Sequence, residues 1–229
     1  MVRVQYDTNS DYSLYFPHPQ ERDAIVKLGE AFVAYERSRP PEQRTPYFPL
    51  VVDVLQQVEA NRHIIQDSRS KRAIASESIK QLDRRLADCT RQIWLAVGAA
   101  CKDATAEAVN WGLSFNQTTQ NIILPQGRAN RLTLLKQYIA YETSRDEALR
   151  FMKPDLAEAI RIRDSLEAYQ KQYENGQNSV SIHIADNKIL AELLLKHLQS
   201  ASVHLLAFEF GYKLTRAIQA WGYDVVERR

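Results

Sequence analysis

Four cations recur along one face of a segment whose periodicity predicts a long helix. They are Lys80, Arg84, Arg91 and Lys102. Residues at steps of four, seven and eleven lie on one side of an α-helix. Their ammonium and guanidinium groups could therefore follow a phosphate backbone or meet an acidic partner. We call these four residues the basic row.

Acidic neighbours favour a simpler interpretation of the basic row, which is a solvated helix face. Glu77, Asp83 and Asp88 each lie three or four residues from a cation and would neutralise part of its charge. Single-stranded nucleic acid also favours aromatic side chains between the charges, and only Trp94 is close to the row. Both interpretations of the row stay open.

Other residues that could bind metal lack a suitable spacing. Glu59 and His63 are one helical turn apart, which is equally typical of a surface pair. His197 and His204 are seven residues apart, about 10 Å along a helix, too far to share an ion. No metal site is predicted. His197 and His204 are expected at the edge of a packed helix.

The two cysteines fit the protein core better than a reactive site. Cys89 and Cys101 are twelve residues apart, about 18 Å along a helix, which is too far for a disulfide. The sequence also lacks glycine-rich phosphate loops and nucleophile motifs. No catalytic residue and no cofactor is predicted, so the chain is interpreted as non-enzymatic. An enzyme with an unrecognised site between the repeats described below is the remaining alternative.

The composition is typical of a soluble protein with a helical core. Of the 229 residues 45% are hydrophobic and 25% charged, while seven glycines and eight prolines are few for the turns of a β-sandwich. The net charge of +2 creates no large overall field. The longest nearly uncharged stretch, residues 93 to 101, is too short to span a membrane, and the N-terminus lacks the apolar core of a signal peptide. We expect an all-α, cytoplasmic protein.

A hexapeptide that occurs twice indicates an internal duplication. AYERSR begins at Ala34 and AYETSR at Ala140, an offset of 106 residues. Two further matches follow in order, VDVLQQVEA at 52 with IRIRDSLEA at 160, and Trp-Gly at 111 with Trp-Gly at 221, with offsets of 108 and 110. Ordered matches with a small drift are typical of tandem repeats with short insertions.

The hexapeptide itself is interpreted as a helix end. Tyr35 and Tyr141 are expected to pack inwards, towards the core of each repeat. Arg39 and Arg145 are expected to approach the last carbonyl groups of their helices. The repetition then reflects descent from one ancestral helix end.

Periodicity and its interruptions predict three helices in each repeat. Helix C starts at capping residues 67 to 70, and helix C′ starts after the polar segment NGQNS. The predicted helices are A (20 to 38), B (49 to 66), C (to 111), A′ (128 to 152), B′ (154 to 174) and C′ (184 to 222).

The predicted architecture is therefore a helical bundle of two tandem three-helix repeats with long C helices. An N-terminal arm (1 to 19) precedes repeat 1 (20 to 114), and a connector (115 to 127) leads to repeat 2 (128 to 229), with both repeats packed as one domain. Around a polar turn at residues 8 to 11, apolar residues alternate, which favours an extended arm or a small hairpin. These residues are Val2, Val4, Tyr6, Tyr12, Leu14 and Phe16.

Helix C′ is predicted to have two apolar faces. Its first face matches the core positions of C, so that Ile189 corresponds to Ile79 and Val203 to Ile93. On the second face the equivalent positions of C include the whole basic row. A helix with two apolar faces is normally covered on both, so we expect inter-repeat or dimer packing there. The second face consists of Leu190, Leu194, Ala201, Leu205, Phe208 and Tyr212.

These features predict an interaction or assembly subunit that binds a protein partner or itself and no membrane. The alternative is a small subunit of a nucleic-acid-handling complex that contacts the phosphate backbone through the basic row. A salt series distinguishes them, because phosphate contacts weaken steeply as salt rises.

Overall fold

The computed structural model describes residues 2–4 and 10–228 and is mostly helical, which confirms the predicted helical character. Its helices are α1 (Arg22–Ser38), α2 (Phe48–Ala100), α3 (Arg128–Ser144) and α4 (Leu156–Phe208). A 3₁₀ turn follows each of them, at Pro41–Gln43, Thr105–Trp111, Glu147–Leu149 and Arg216–Trp221. The order of short helix, turn, long helix and turn thus occurs in both halves of the chain.

Helices α2 and α4 are each continuous for 53 residues. The predicted division into helices B and C, and into B′ and C′ with a loop at NGQNS, is therefore wrong. Ser68, expected as a cap, is buried inside α2, and its Oγ lies 3.0 Å from the Oγ of Ser179 on α4. A polar residue that finds such a partner on a packed neighbour does not have to end its helix.

Both long helices end before the Trp-Gly pairs, earlier than predicted for C and C′. Helix α2 continues through Gly98 but ends at Ala100, and Ala104 then has a non-helical backbone conformation at φ −141° and ψ 61°. After α4, Gly211 and Tyr212 adopt left-handed conformations at φ 54° and 65°, which a right-handed helix cannot include.

The chain forms two compact units, and each takes segments from both halves of the sequence. Unit 1 comprises residues 1–68 and 178–229, and unit 2 comprises residues 69–177. Each long helix contributes one segment to each unit. The limits of the units therefore differ from those of the predicted repeats, 20 to 114 and 128 to 229.

Unit 1 combines α1 with the first part of α2 and the last part of α4. Its core includes Phe32 of α1, Val54 of α2 and Leu198 of α4, together with Ile218 of the last 3₁₀ turn. The unit also contains an antiparallel sheet in the order β1 (Val2–Val4), β2 (Tyr12–Phe16) and β3 (Asp224–Glu227).

The predicted N-terminal arm forms two strands of this sheet. Val2 lies opposite Phe16 in the β1–β2 register, while Tyr6 and turn residues 8 and 9 lie outside the described residues. Strand β3 was not predicted. It places Val225 opposite Leu14, and two adjacent valines after a glycine are its sequence signal.

Unit 2 combines α3 with the last part of α2 and the first part of α4. Tyr138 of α3, Ile93 of α2 and Ile162 of α4 are buried together in its core. The Tyr138 hydroxyl donates a hydrogen bond of 2.8 Å to the carbonyl oxygen of Pro154. Burial raises the pKa of this phenol above its usual range.

Candidate functional site

A buried carboxylate lies at the end of α1. Glu36, the glutamate of AYERSR, is fully buried, and its Oε1 accepts hydrogen bonds from Nε1 of Trp221 (2.6 Å) and Nη1 of Arg39 (3.2 Å). Its Oε2 accepts the backbone N–H of Thr45 at 2.6 Å and its hydroxyl at 3.2 Å. The ring of Tyr35 packs edge-on against Trp221 with 4.4 Å between centroids.

Glu142 has equivalent surroundings in unit 2. This carboxylate is also fully buried, and its Oε1 accepts bonds from Nε1 of Trp111 (2.7 Å) and Nη1 of Arg145 (2.5 Å). Its Oε2 accepts the backbone N–H of Phe151 at 2.9 Å. Tyr141 packs on Trp111 with 4.6 Å between centroids.

These contacts explain the hexapeptide and correct one expectation about it. The side chains of Arg39 and Arg145 pair with the buried glutamates and lie 5.2 and 5.3 Å from the tryptophan ring centroids, so the prediction that they approach the helix carbonyls is wrong. Arg44 and Arg150 take that role. Their Nε atoms donate to the carbonyl oxygen of the buried glutamate at 3.0 and 2.9 Å.

The two glutamates are placed for structure rather than for acid–base catalysis. Each carboxylate oxygen already accepts at least one hydrogen bond, and neither side chain is exposed. A general acid or base must come within hydrogen-bond reach of its substrate. The glutamates instead attach α1 and α3 to the segments that carry the tryptophans.

The basic row lies on α2 and on the turn after it, with all four side chains exposed. Lys80 Nζ is 3.5 Å from Glu77. Asp83 accepts a hydrogen bond of 2.7 Å from Nε of Arg128, which lies on α3. This hydrogen bond raises the pKa of Arg128. A cation outside the row thus neutralises one of its acidic neighbours.

Positive charge is concentrated in the part of α2 that carries the row. Residues 69 to 91 contain seven basic and three acidic side chains, and the rest of unit 2 contains ten of each. Unit 2, with 17 basic and 13 acidic residues, therefore has a net charge of +4, and unit 1, with 13 and 15, has −2. The exposed Arg69, eleven residues before Lys80, extends the row towards the start of unit 2.

An open cleft of about 620 Å³ lies at the C-terminal end of the basic row. Its lining includes Trp94, Gly98 and Lys102, with Gln120 and Ile122 of the connector opposite. The Trp94 Nε1 donates a hydrogen bond of 2.9 Å to the carbonyl oxygen of Ile122. The sequence places Trp94 close to the basic row, but no sequence pattern indicates that the connector returns to it.

The second apolar face predicted for C′ divides into a buried and an exposed part. Phe208 and Tyr212 are each 77% exposed, because α4 ends at Phe208 and the left-handed residues after it turn the chain. The other four residues are fully or partly buried in the core of unit 1. They are Leu190, Leu194, Ala201 and Leu205.

Two residues of the first apolar face predicted for C′, Ile189 and Val203, are exposed where the sequence predicts a core, and Ile182 and Leu193 of the same helix are exposed with them. Ile182, Ile189, Leu193 and Val203 are 59, 64, 39 and 47% exposed. Their steps of seven, four and ten residues place them in one stripe on the helix surface, which we call the α4 stripe. Ile189 and Val203 differ from their buried α2 counterparts because unit 1 buries the adjacent leucine face instead.

Among the described residues, no group of three or more histidine, cysteine, aspartate or glutamate side chains could hold a metal ion. Cys89 and Cys101 are buried with free thiols, and burial raises the pKa of Cys89 to about 11. His63 forms an exposed pair with Glu59 at 3.2 Å. His204 packs against the Phe208 ring with 4.6 Å between centroids.

Comparisons with known proteins identify no relative. The chain matches no protein-family model, and no curated protein or solved structure is significantly similar to it. Within the described part of the chain, no helix combines the length and apolar character needed to cross a membrane.

Proposed function

We propose that the protein is a non-enzymatic assembly subunit that associates with a second copy of itself through the α4 stripe. The stripe carries this proposal because it exposes four aliphatic side chains along about 32 Å of one helix. Apolar surface removed from water contributes about 25 cal/mol per Å² to association. A row of exposed aliphatic side chains along one helix is a candidate interaction site.

The charges beside the stripe favour a second copy in antiparallel orientation. Asp186 and Lys196 are each five residues from Ala191, and Ile189 and Leu193 are each two residues from it. A two-fold axis at the level of Ala191 brings Asp186 of each copy level with Lys196 of the other. The same axis brings Ile189 level with Leu193. Two-fold dimers are the commonest symmetric assemblies.

Duplication of one helical repeat is part of this proposal. It is supported by helix lengths of 17 and 53 residues in both halves and by the equivalent partners of Glu36 and Glu142. With α2 and α4 unbroken, each repeat contributes two helices rather than the three first predicted. The halves then differ in their surfaces, with a basic row on α2 and an aliphatic stripe on α4.

Light scattering coupled to size-exclusion chromatography tests the assembly. We expect the wild-type protein to be a dimer and the double variant Ile189→Glu/Leu193→Glu to be a monomer, because a charge in the stripe cannot be buried without a partner. Ile74→Glu is the matched control, since Ile74 is 62% exposed on α2 and should leave the dimer intact. A monomeric wild-type protein at every concentration would contradict the proposal.

Charge exchange tests the antiparallel orientation. Asp186→Lys and Lys196→Asp should each weaken the dimer, because either change places like charges level with one another across the axis. The double variant should restore it. Equal weakening by the double variant would exclude the antiparallel arrangement.

The charge distribution favours a second candidate function, contact with a nucleic-acid backbone through the basic row. The observation behind it is the excess of four positive charges between residues 69 and 91. Lys80→Glu/Arg84→Glu should weaken binding of a labelled oligonucleotide and flatten its dependence on salt. The exposed pair Lys27→Glu/Lys213→Glu in unit 1 is the control. Equal effects of the two pairs would exclude the basic row as the contact surface.

A further inference from the structure

Gly98 keeps the cleft at the end of the basic row open. A Cβ atom added at Gly98 would meet nothing within 4 Å, and the residue is absent from the positions with positive φ. Neither packing nor backbone conformation therefore requires glycine here. Glycine is nevertheless present, at a cost in stability, because it is among the least favourable residues inside a helix. Its effect in the described structure is to leave space beside Trp94.

The groups around this space suit a planar ring that carries hydrogen-bonding edges. Trp94 lines the cleft with an indole whose orientation is set by its 2.9 Å bond to Ile122. The hydroxyl of Thr105 and the amides of Gln120 and Asn121 supply donors and acceptors on the same lining. Aromatic stacking combined with polar contacts to a ring edge is how proteins bind unpaired bases.

The connector that closes one side of the cleft is held in place by local hydrogen bonds. The backbone N–H of Asn116 donates to the carbonyl oxygen of Asn121 at 2.8 Å, and the side-chain oxygen of Asn116 accepts two further backbone N–H groups. Gln120 is left-handed at φ 57°, and its amide nitrogen donates to the carbonyl oxygen of Gln117 at 2.8 Å. The polar rim is therefore positioned before a ligand arrives.

The cleft continues the line of the basic row. Arg91 lies seven residues before Gly98 on the same face of α2, about 10 Å along the axis, and Lys102 lies on the far side. A strand whose phosphates follow the row would place a base beside the opening. A base held in a duplex cannot enter, because its faces are already stacked.

We propose that the cleft takes one unpaired base of a single-stranded nucleic acid whose phosphates lie along the basic row. The proposal rests on the second candidate function given above. It adds a preference for single strands over duplexes, which the row alone does not provide, since phosphate contacts do not read the bases.

Fluorescence anisotropy with a labelled single strand and a duplex of equal length tests the proposal. The wild-type protein should prefer the single strand. Gly98→Leu should weaken single-strand binding about tenfold, because its side chain fills the space beside Trp94, and should leave duplex binding unchanged. Gly98→Ala is the control, since one methyl group leaves most of the cleft open, and it should retain the preference.

The outcomes distinguish base binding in the cleft from phosphate binding along the basic row. Lys80→Glu/Arg84→Glu should weaken binding of both nucleic acids, whereas Gly98→Leu should affect only the single strand. If Gly98→Leu leaves the single-strand preference unchanged, or the wild-type protein shows no preference, the cleft proposal is wrong and the basic row still stands. If the wild-type protein binds neither nucleic acid at low salt, both are wrong. A thermal unfolding transition of Gly98→Leu at the wild-type temperature shows that a loss of binding is not caused by a loss of folding.

Discussion

The indole of Trp221 donates a hydrogen bond of 2.6 Å to the carboxylate of Glu36, 185 residues earlier in the chain. Trp111 donates an equivalent bond of 2.7 Å to Glu142. Each buried glutamate thus receives its tryptophan from the other half of the sequence. This reciprocal exchange accounts for the repeated hexapeptide and means that each unit is built from both halves.

Glu36→Gln should destabilise the protein by about 2 kcal/mol in urea denaturation, because hydrogen bonds to charged groups contribute about 1.5–3 kcal/mol. The NH₂ group of the amide also faces a donor in either orientation, so that either the N–H of Thr45 or the N–H groups of Trp221 and Arg39 lack an acceptor. Glu30→Gln is the control, since Glu30 is exposed on the same helix and should change stability by less than about 0.5 kcal/mol. A double-mutant cycle with Trp221→Phe should show coupling, and independent effects would contradict the role given to the bond.

Gly222→Ala should lower the thermal midpoint. Gly222 is left-handed at φ 86°, and an added Cβ would lie 2.5 Å from the Cβ of Ala31 on α1, so both conformation and contact oppose a side chain. The conformational cost alone is about 1–2 kcal/mol. Gly98→Ala is the matched control and should keep or raise the midpoint, because its Cβ lies in open space within a helix. Equal midpoints for the two variants would show that the close packing of Gly222 on α1 is not required.

The stability of the protein should decrease above pH 9. Burial raises the pKa of the Cys89 thiol from 9.0 to about 11, so the unfolded chain loses this proton at a lower pH than the folded one. The contribution of the protonated Cys89 thiol to the free energy of unfolding is therefore fully present below pH 9 and is lost as pH rises towards 11. Between pH 8 and pH 10 this contribution decreases by about 1 kcal/mol. Urea denaturation at these two values should show a smaller decrease for Cys89→Ala, and parallel decreases would contradict the shift.

The sequence predicts the helical character and the first helix well, but it predicts the end of A′, which stops at Ser144 rather than 152, and the junctions of the other helices poorly. The first helix was predicted from residue 20 to 38 and is observed at Arg22–Ser38, because four prolines follow it. The junction of B and C was missed because Ser68 reads as a cap, although its partner Ser179 lies 111 residues away. Local patterns do not show which distant segment will satisfy a polar group.

Long-range pairing also explains what was missed at the candidate sites. The exposed state of Lys80 and Arg84 follows from the local pattern. The exposure of Ile189 does not, because unit 1 buries the adjacent face with Leu194, and this choice depends on residues from the first half of the chain. The cleft depends in the same way on the connector returning to Trp94.

Native mass spectrometry after cleavage of the connector tests the exchange between halves most directly. A recognition sequence for a specific protease, inserted between the exposed residues Gln117 and Thr118, allows the folded chain to be cut into two fragments of unequal mass. We predict that the fragments stay bound in a 1:1 ratio, because each unit needs segments from both, and that they separate only under denaturing conditions. Free fragments, or fragments paired only with their own kind, would contradict the exchange of Trp221 and Trp111 between the halves.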